Sequence, residues 1–334
     1  MYKPPLLFAM DPGLTERVLS AEALSQLGAA CEVLDATRYT AWDAAATLLP
    51  RTEVLVSGWG CPPLSAEVLD RAPRLRLIAH TAGSVKRLLV DPKFFARGIA
   101  VTTAADANAI PVAEYTLAAI LFANKQLFRM REFYRQGRSR KLTDPLAAGL
   151  IGNLGKRVGI VGASRIGRLV VEKLKGFDLD VLIHDPFLPS DDPIHAVARQ
   201  VDLQEVMAAD VVSLHAPLLE TTRGMIGTRE LALMPDGATL VNTARGAIVN
   251  QPALIAELTS GRLNAVLDVT FPEVPEPASP LYDLPNVFLT PHAAGALGTE
   301  QERLGELMAA EVTRFCAGQP LRHALTAEAY ARMA

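Results

Sequence analysis

The chain opens as an alternation of short apolar runs and segments of helical pattern. Pro5–Met10, Cys31–Leu34, Val54–Val56, Leu75–Ala79 and Ile99–Thr102 read as buried strands. Leu14–Leu27, Asp43–Leu48, Ser65–Arg71 and Asp91–Ala96 lie between them and read as helices, with Ser65 or Asp91 as an N-cap and Pro92 in a first turn. This alternation predicts βαβ units and a parallel sheet. A long helix over Pro111–Arg135 follows, opened by Pro111 and closed by Gly137. Its apolar residues (Val112, Tyr115, Leu117, Ile120, Leu121, Phe122, Leu127, Phe128) are too many for one face. A helix apolar around much of its circumference needs two partners, its own domain and either the other domain or another subunit.

After a polar, glycine-containing connection over Gly137–Asn153, with Arg138, Arg140, Lys141 and Pro145, the alternation restarts. Strands are predicted at Arg157–Val161, Asp180–His184, Val211–His215, Ala238–Asn242, Ala265–Val269 and Val287–Thr290. Helices are predicted at Arg165–Lys175, Asp202–Ala208, Thr228–Met234, Pro252–Thr259 and Glu300–Ala317, the last stopped by Gly318 and Pro320. The pattern is two α/β units in series. The last helix follows the final strand of the second unit and is free to return to the first, which makes that domain discontinuous.

Composition narrows the class. The 334 residues are 50% apolar and 21% charged, which excludes a disordered chain. The net charge is −3 with no block of five or more like charges, so neither a nucleic-acid nor a polybasic membrane role is expected. The apolar stretch at Tyr115–Ala123 falls short of the ~20 residues of a membrane span. The N-terminus reads as a strand rather than a signal peptide. Cys31, Cys61 and Cys316 are far apart in sequence and fit no zinc spacing or disulfide framework. A cytoplasmic protein with no metal is expected.

Candidate chemistry starts at Arg157–Gly167, RVGIVGASRIG, where a strand feeds a glycine turn and a helix. The free N–H groups and positive dipole of a helix N-terminus attract pyrophosphate. Gly162 suits the tight turn and Gly167 the close helix–strand approach, with Ser164 at the second glycine position and Arg165 and Ile166 completing the turn. Asp185 ends the next strand, 18 residues past Gly167, where a carboxylate accepts hydrogen bonds from ribose hydroxyls and repels a 2′-phosphate. NAD is therefore expected over NADP. Polar residues also end the later strands: His215, then Asn242, Thr243 and Arg245, then Asp268, and His292. Each alone has an ordinary structural reading. Together they supply what carbonyl reduction needs beside a hydride donor: a planar cation for a carboxylate, a proton donor, and a carboxylate (Glu273) to orient it.

At this point the chain resembles the D-isomer-specific 2-hydroxyacid dehydrogenase family. The likeness rests on Ala107–Ala118 (ANAIPVAEYTLA), Gly155–Gly167 (GKRVGIVGASRIG), Ala209–Gly227 (ADVVSLHAPLLETTRGMIG), Leu233–Val249 (LMPDGATLVNTARGAIV), Ala265–Pro277 (AVLDVTFPEVPEP) and Leu284–Ala296 (LPNVFLTPHAAGA). The resemblance implies that Arg245 binds the carboxylate and carbonyl of a small 2-oxo acid. It implies that His292 exchanges a proton with the carbonyl oxygen and that Glu273 pairs with His292. Asp268 would hold the nicotinamide carboxamide, and His215, Pro217, Thr222, Thr243 and Ala244 would line the NAD site. Backbone amides of Ala82, Gly83 and Ser84 would bind the substrate carboxylate, and Trp59, with Cys61 nearby, would cap the substrate side chain.

Ser164 departs from the family pattern, as does Thr270, which stands where an aromatic is common. TFPEVPEP leaves Glu273 and Glu276 as alternatives, the five-residue spacing from Asp268 favouring Glu273. The expected fold is α/β, with two Rossmann-like domains enclosing a cleft. A flavodoxin-like substrate domain takes 1–107 and 297–334, and a doubly wound NAD-binding domain takes 108–296. The resemblance further implies interconversion of a 2-oxo acid and its D-2-hydroxy acid, glyoxylate or hydroxypyruvate reduction being typical, and a homodimer through the cofactor domain. An NAD(H)-sensing corepressor-like scaffold and a phosphite-type dehydrogenase remain the alternatives.

Overall fold

The structure is a computed structural model that describes residues 2–91, 93–138 and 151–333. Pro92, in the expected helix start, and Arg140, Lys141 and Pro145, in the expected connection, lie outside the described residues. The chain divides into two compact units, Met1–Ala109 with Ala296–Ala334, and Ile110–Gly295.

The first unit is built on five parallel strands, β1 (Pro5–Ala9), β2 (Glu32–Tyr39), β3 (Val54–Ser57), β4 (Leu77–His80) and β5 (Ala100–Thr103), in the order β2-β1-β3-β4-β5. That is the flavodoxin-like order. Strand periodicity divides the core. Leu6 and Phe8 face one layer with Leu27, Leu304 and Met308, while Leu7 and Ala9 face the other with Leu49, Leu69 and Phe94. The helices are α1 (Ala21–Ala30), α2 (Ala66–Arg71), and, from the chain's far end, α9 (Glu300–Cys316) and α10 (Ala327–Ala331). The last helix predicted from sequence thus returns to the first unit. It lies so close to the segment before α1 that a Cβ on Gly305 would come within 1.6 Å of the Val18 carbonyl oxygen. It also brings Cys316 Sγ to 3.6 Å from Cys31 Sγ, a proximity that 285 residues of separation conceal.

The second unit carries seven parallel strands: β6 (Lys156–Val161), β7 (Leu179–His184), β8 (Arg199–Gln200), β9 (Val211–Leu214), β10 (Thr239–Asn242), β11 (Asn264–Leu267) and β12 (Val287–Leu289). Their order is β12-β11-β10-β9-β6-β7-β8. The winding reverses between β6 and β9, and ligands of doubly wound sheets bind beyond the strand ends at such a point. Around the sheet run α3 (Ala105–Asn124), which extends across the division at Ala109, α4 (Leu127–Gly137), α5 (Arg165–Leu174), α6 (Leu203–Met207), α7 (Thr228–Leu233) and α8 (Gln251–Thr259). One core layer gathers Val158, Ile160, Val181 and Ile183 with Ile120 and Val170; the other gathers Leu182, Leu214, Leu240 and Leu267 with Leu231 and Leu254.

Several elements differ from the sequence expectation. Leu14–Leu27 is not one helix. The Asp11 carboxylate accepts the amides of Gly13 (2.8 Å) and Leu14 (3.0 Å) and holds that stretch in turns, and α1 starts only where Ser20 Oγ accepts the Ala23 amide. Asp43–Leu48 forms turns with i→i+3 bonds, Ala45 N–H to Trp42 and Leu48 N–H to Ala45, and ends in a 3-10 turn at Leu49–Arg51. Phe94–Arg97 is a 3-10 turn, with the Lys93 amide donating to Asp91. The long helix begins at Ala105, leaving Pro111 inside it, and breaks after Asn124. At the break Gln126 takes a left-handed backbone (φ 50) and donates its side-chain amide to the Gly237 carbonyl. Among the described residues, no helix is long and apolar enough to cross a membrane.

Candidate active site

The glycine turn follows β6 directly. Gly162 has φ 103, a conformation that favours glycine, and a Cβ there would sit 2.6 Å from the Ala216 amide nitrogen. The two loops that flank the point of reversal therefore touch backbone to backbone. A Cβ on Gly167 would lie 2.1 Å from the Gly162 carbonyl oxygen, so α5 can pack this closely only without a side chain there. Ser164 is the N-cap of α5, its hydroxyl accepting the Gly167 amide at 3.3 Å. Arg165 is the exposed first helical residue and Ile166 is half-buried behind it. The Asp185 carboxylate reaches back to the turn, accepting the Ala163 amide (2.7 Å) and the Phe187 amide (2.9 Å).

Sequence reading missed Arg168. Its Nε donates to the Ala163 carbonyl (3.0 Å), and its other nitrogens fork onto Asp192 at 2.8 and 2.7 Å. The guanidinium hydrogen bonds hold the Asp192 carboxyl at a pKa of about 2. Nothing in the spacing of Arg168 and Asp192 announces the pair; it forms because the loop after β7 folds back onto α5.

His215 follows β9 and is 4% exposed. Its Nε2 bonds the Ser213 hydroxyl at 2.9 Å, while its Nδ1 is buried without a hydrogen-bond partner among the described residues. Burial pushes its pKa down to about 3, so the ring is neutral. Thr222 accepts the Leu219 amide (2.7 Å) and donates to the Pro217 carbonyl (2.6 Å), which makes it the staple of the 217–222 loop. Thr243 is buried, its hydroxyl 3.0 Å from that of Thr116 on α3. Asn242 shapes the next turn: its Oδ1 accepts the Ala244 amide and its Nδ2 donates to the Arg245 carbonyl, both at 3.0 Å. The half-buried Arg245 donates to the Ala244 carbonyl at 2.7 Å. A Cβ on Gly246 would lie 2.0 Å from the Thr270 carbonyl carbon, so this turn is laid flat against the segment after β11.

That segment carries Asp268, which is 2% exposed. Its carboxylate accepts Thr290 Oγ1–H (2.6 Å), the Ala293 amide (2.7 Å) and the Ala294 amide (3.1 Å), and its carbonyl accepts the His292 amide (2.9 Å). His292 is thereby held with φ 55, rare for a residue with a side chain. Its Nδ1 is hydrogen-bonded to Glu273 Oε1. Of the two acids in the Pro-rich loop, Glu273 is the one at the imidazole.

In the first unit, the loop after β3 packs Trp59 half-buried on the core, and its carbonyl accepts the Asp11 amide at 2.7 Å. The Cys61 thiol is pushed well up by burial. In the loop after β4, Ala82 is buried and its carbonyl accepts the Ala104 amide (3.1 Å); Gly83 and Ser84 are half-buried.

Residues 117–294 match the D-isomer specific 2-hydroxyacid dehydrogenase NAD binding domain. The chain belongs to the D-isomer specific 2-hydroxyacid dehydrogenase family. It is 34% identical to a glyoxylate reductase of Korarchaeum cryptofilum over 77% of this chain and 78% of that protein. It is 31% identical to a D-3-phosphoglycerate dehydrogenase of Archaeoglobus fulgidus over 78% of this chain but only 49% of that protein, so it spans about half of that relative. A crystal structure of a phosphoglycerate oxidoreductase from Rhizobium etli superposes with a TM-score of 0.78 at 26% identity, covering 97% of this chain and 98% of that one. The protein is an NAD-dependent 2-hydroxyacid dehydrogenase of this family. The site fits NAD on its own terms. A turn stripped of side chains at Gly162 and Gly167 opens a helix N-terminus, a carboxylate stands at the end of the next strand, and an unpartnered imidazole nitrogen lies buried beside the turn.

Proposed function

We propose that the protein interconverts a small 2-oxo acid and its D-2-hydroxy acid, with Arg245, Glu273 and His292 as the reacting side chains. The observation that carries this reading is the Glu273–His292 pair. Bound NADH supplies the hydride. The glycine turn, Asp185 and the His215 and Thr243 loops would bind and orient it, and Asp268 would hold its carboxamide. Glu273 holds the proton on His292 Nδ1, which leaves Nε2 as the nitrogen that gives a proton to the carbonyl oxygen in reduction and takes it back in oxidation. Arg245 binds the substrate carboxylate through two parallel N–H donors and polarises the carbonyl. The unit of Ile110–Gly295 is then the NAD-binding domain. The unit holding both chain ends is the substrate domain, presenting the amides of Ala82, Gly83 and Ser84 and the Trp59 ring.

The reading extends to a homodimer. Phe122 is 48% exposed on α3, and the Phe128 ring stacks on Phe288 at 4.4 Å beside it, an aromatic face suited to a second copy.

The test is absorbance of NADH with purified protein and a panel of 2-oxo acids including glyoxylate and hydroxypyruvate. NADH oxidation with at least one acid is expected. Arg245→Ala should abolish turnover while NADH binding, read by fluorescence, is largely kept. Tight NADH binding with no acid reduced would replace the enzyme reading with that of an NAD(H)-sensing scaffold.

A further inference from the structure

Both members of the Glu273–His292 pair are exposed, their side chains 56% and 51% accessible. An exposed pair of flexible side chains contributes only about 0–1 kcal/mol and is opposed by the entropy of fixing it. Its geometry therefore has to come from the backbone beneath, and on each side one threonine hydroxyl ties that backbone down.

On the glutamate side, Thr270 is 5% exposed and its main chain is pinned against Gly246. Its hydroxyl points along the chain and is shared between the carbonyls of Pro272 (2.7 Å) and Glu273 (3.0 Å). On the histidine side, Thr290 Oγ1 lies 2.6 Å from Asp268 Oδ1 and 2.8 Å from the Tyr115 hydroxyl. A carboxylate only accepts, so the single Thr290 proton goes to Asp268 and the Tyr115 proton to Thr290. The bonds thus run in one direction, from Tyr115 to Thr290 to the carboxylate that accepts the amides after His292. Desolvation and the nearby Asp268 charge raise the Tyr115 pKa, which keeps it a donor.

We propose that Thr270 and Thr290 are positioning residues for the acid–base pair, Thr270 setting the turn that presents Glu273 and Thr290, backed by Tyr115, setting the loop that presents His292. The inference rests on the proposed role of that pair. It also accounts for the threonine at 270: a phenyl ring there has no hydroxyl to hold the turn.

The test is steady-state reduction of glyoxylate, or of whichever 2-oxo acid the panel shows to be turned over, by Thr270→Val, Thr290→Val, both together, and the two serine variants. Valine keeps the shape and removes the hydroxyl. Each valine variant is expected to lose about tenfold or more in kcat, since displacements of about 1 Å at a reacting group cost up to about 100-fold. KM for NADH should stay within about twofold in Thr270→Val, whose hydroxyl bonds only the carbonyls of Pro272 and Glu273, and the serine variants should recover most of the loss. The double valine variant should lose less than the product of the two single losses, because both act on one contact. Valine variants within about twofold of wild-type kcat, or serine variants as impaired as valine, would overturn the proposal. So would a loss that follows the folded fraction in near-ultraviolet circular dichroism. Where a valine variant fails to fold, Tyr115→Phe serves instead: a severalfold fall in kcat with unchanged KM for NADH is expected, and unchanged kcat overturns the Thr290 arm. His292→Ala separates the two levels. If it keeps full kcat, the acid–base pair itself is wrong and both readings fall; if it is inactive while the threonine variants are not, only the positioning fails.

Discussion

Ser164 shows how one residue can depart from a motif and still serve it. A second glycine at that place lets the main chain come close to a pyrophosphate, and serine gives up some of that space. In return its hydroxyl caps α5 by accepting the Gly167 amide. The cap is worth about 1 kcal/mol against alanine and only a few tenths against glycine. Urea unfolding should therefore show Ser164→Ala about 1 kcal/mol less stable than wild type and Ser164→Gly nearly unchanged. Equal losses in both would mean that the hydroxyl does not act as a cap. At the residue scale, the placement of Asp185, Arg245 and His292 was legible because each follows the end of a strand within three residues. That of Arg168 and Tyr115 was not. Their partners, Asp192 and Thr290, lie 24 and 175 residues away and only tertiary folding brings them together.

At the scale of elements, the buried parallel strands were the most readable feature, because both faces are covered and apolar residues run on without alternation. Helix starts were read well where a side chain does the capping, as at Ser65, whose hydroxyl accepts the Val68 amide. They were misread where a local hydrogen bond competes. Asp11 holds the following residues in turns, and the apolar pattern of Leu14–Leu27 does not reveal it. The long apolar helix was read as continuous because its pattern is continuous; the break at Gln126 comes from a backbone conformation and a bond to Gly237. β8, two residues long, and α10, five long, are too short to carry a period. The packing of α9 leads to a further prediction. Its Gly305 leaves no room for a Cβ, the blocking atom being the Val18 backbone carbonyl rather than a movable side chain. Gly305→Ala should push α9 from the segment before α1 and cost about 1–3 kcal/mol despite alanine's higher helix propensity. A variant as stable as wild type in urea would show that this segment yields freely.

At the scale of the molecule, each unit buries one uncharged histidine near the carboxyl end of a strand. His80, bonded at Nδ1 to the Ser57 hydroxyl (3.0 Å), has its pKa lowered by burial to about 4, and His215 has its pKa lowered to about 3. In the unfolded chain an imidazole titrates near 6.5. Below that pH the unfolded state binds protons that the folded state excludes, so stability falls as the pH drops from about 6.5 toward 4 and 3. Above 6.5 the two groups contribute no pH dependence. The slope is about 1.4 kcal/mol per pH unit for each histidine, which amounts to about 2 kcal/mol for each unit at pH 5. Asp192, with its pKa held at about 2, adds to the loss only at more acidic pH, below the ordinary aspartate range. Because His80 and His215 lie in different units, mild acid should weaken both rather than melt one and spare the other. Urea unfolding at pH 7.5 and pH 5, followed by far-ultraviolet circular dichroism and by Trp59 and Trp42 fluorescence from the first unit, reads the two effects together. His215→Asn should flatten the pH dependence of the second unit alone. A stability that does not change between pH 7.5 and 5 would mean that these imidazoles are protonated in place, and with it the neutral His215 beside the glycine turn would fall.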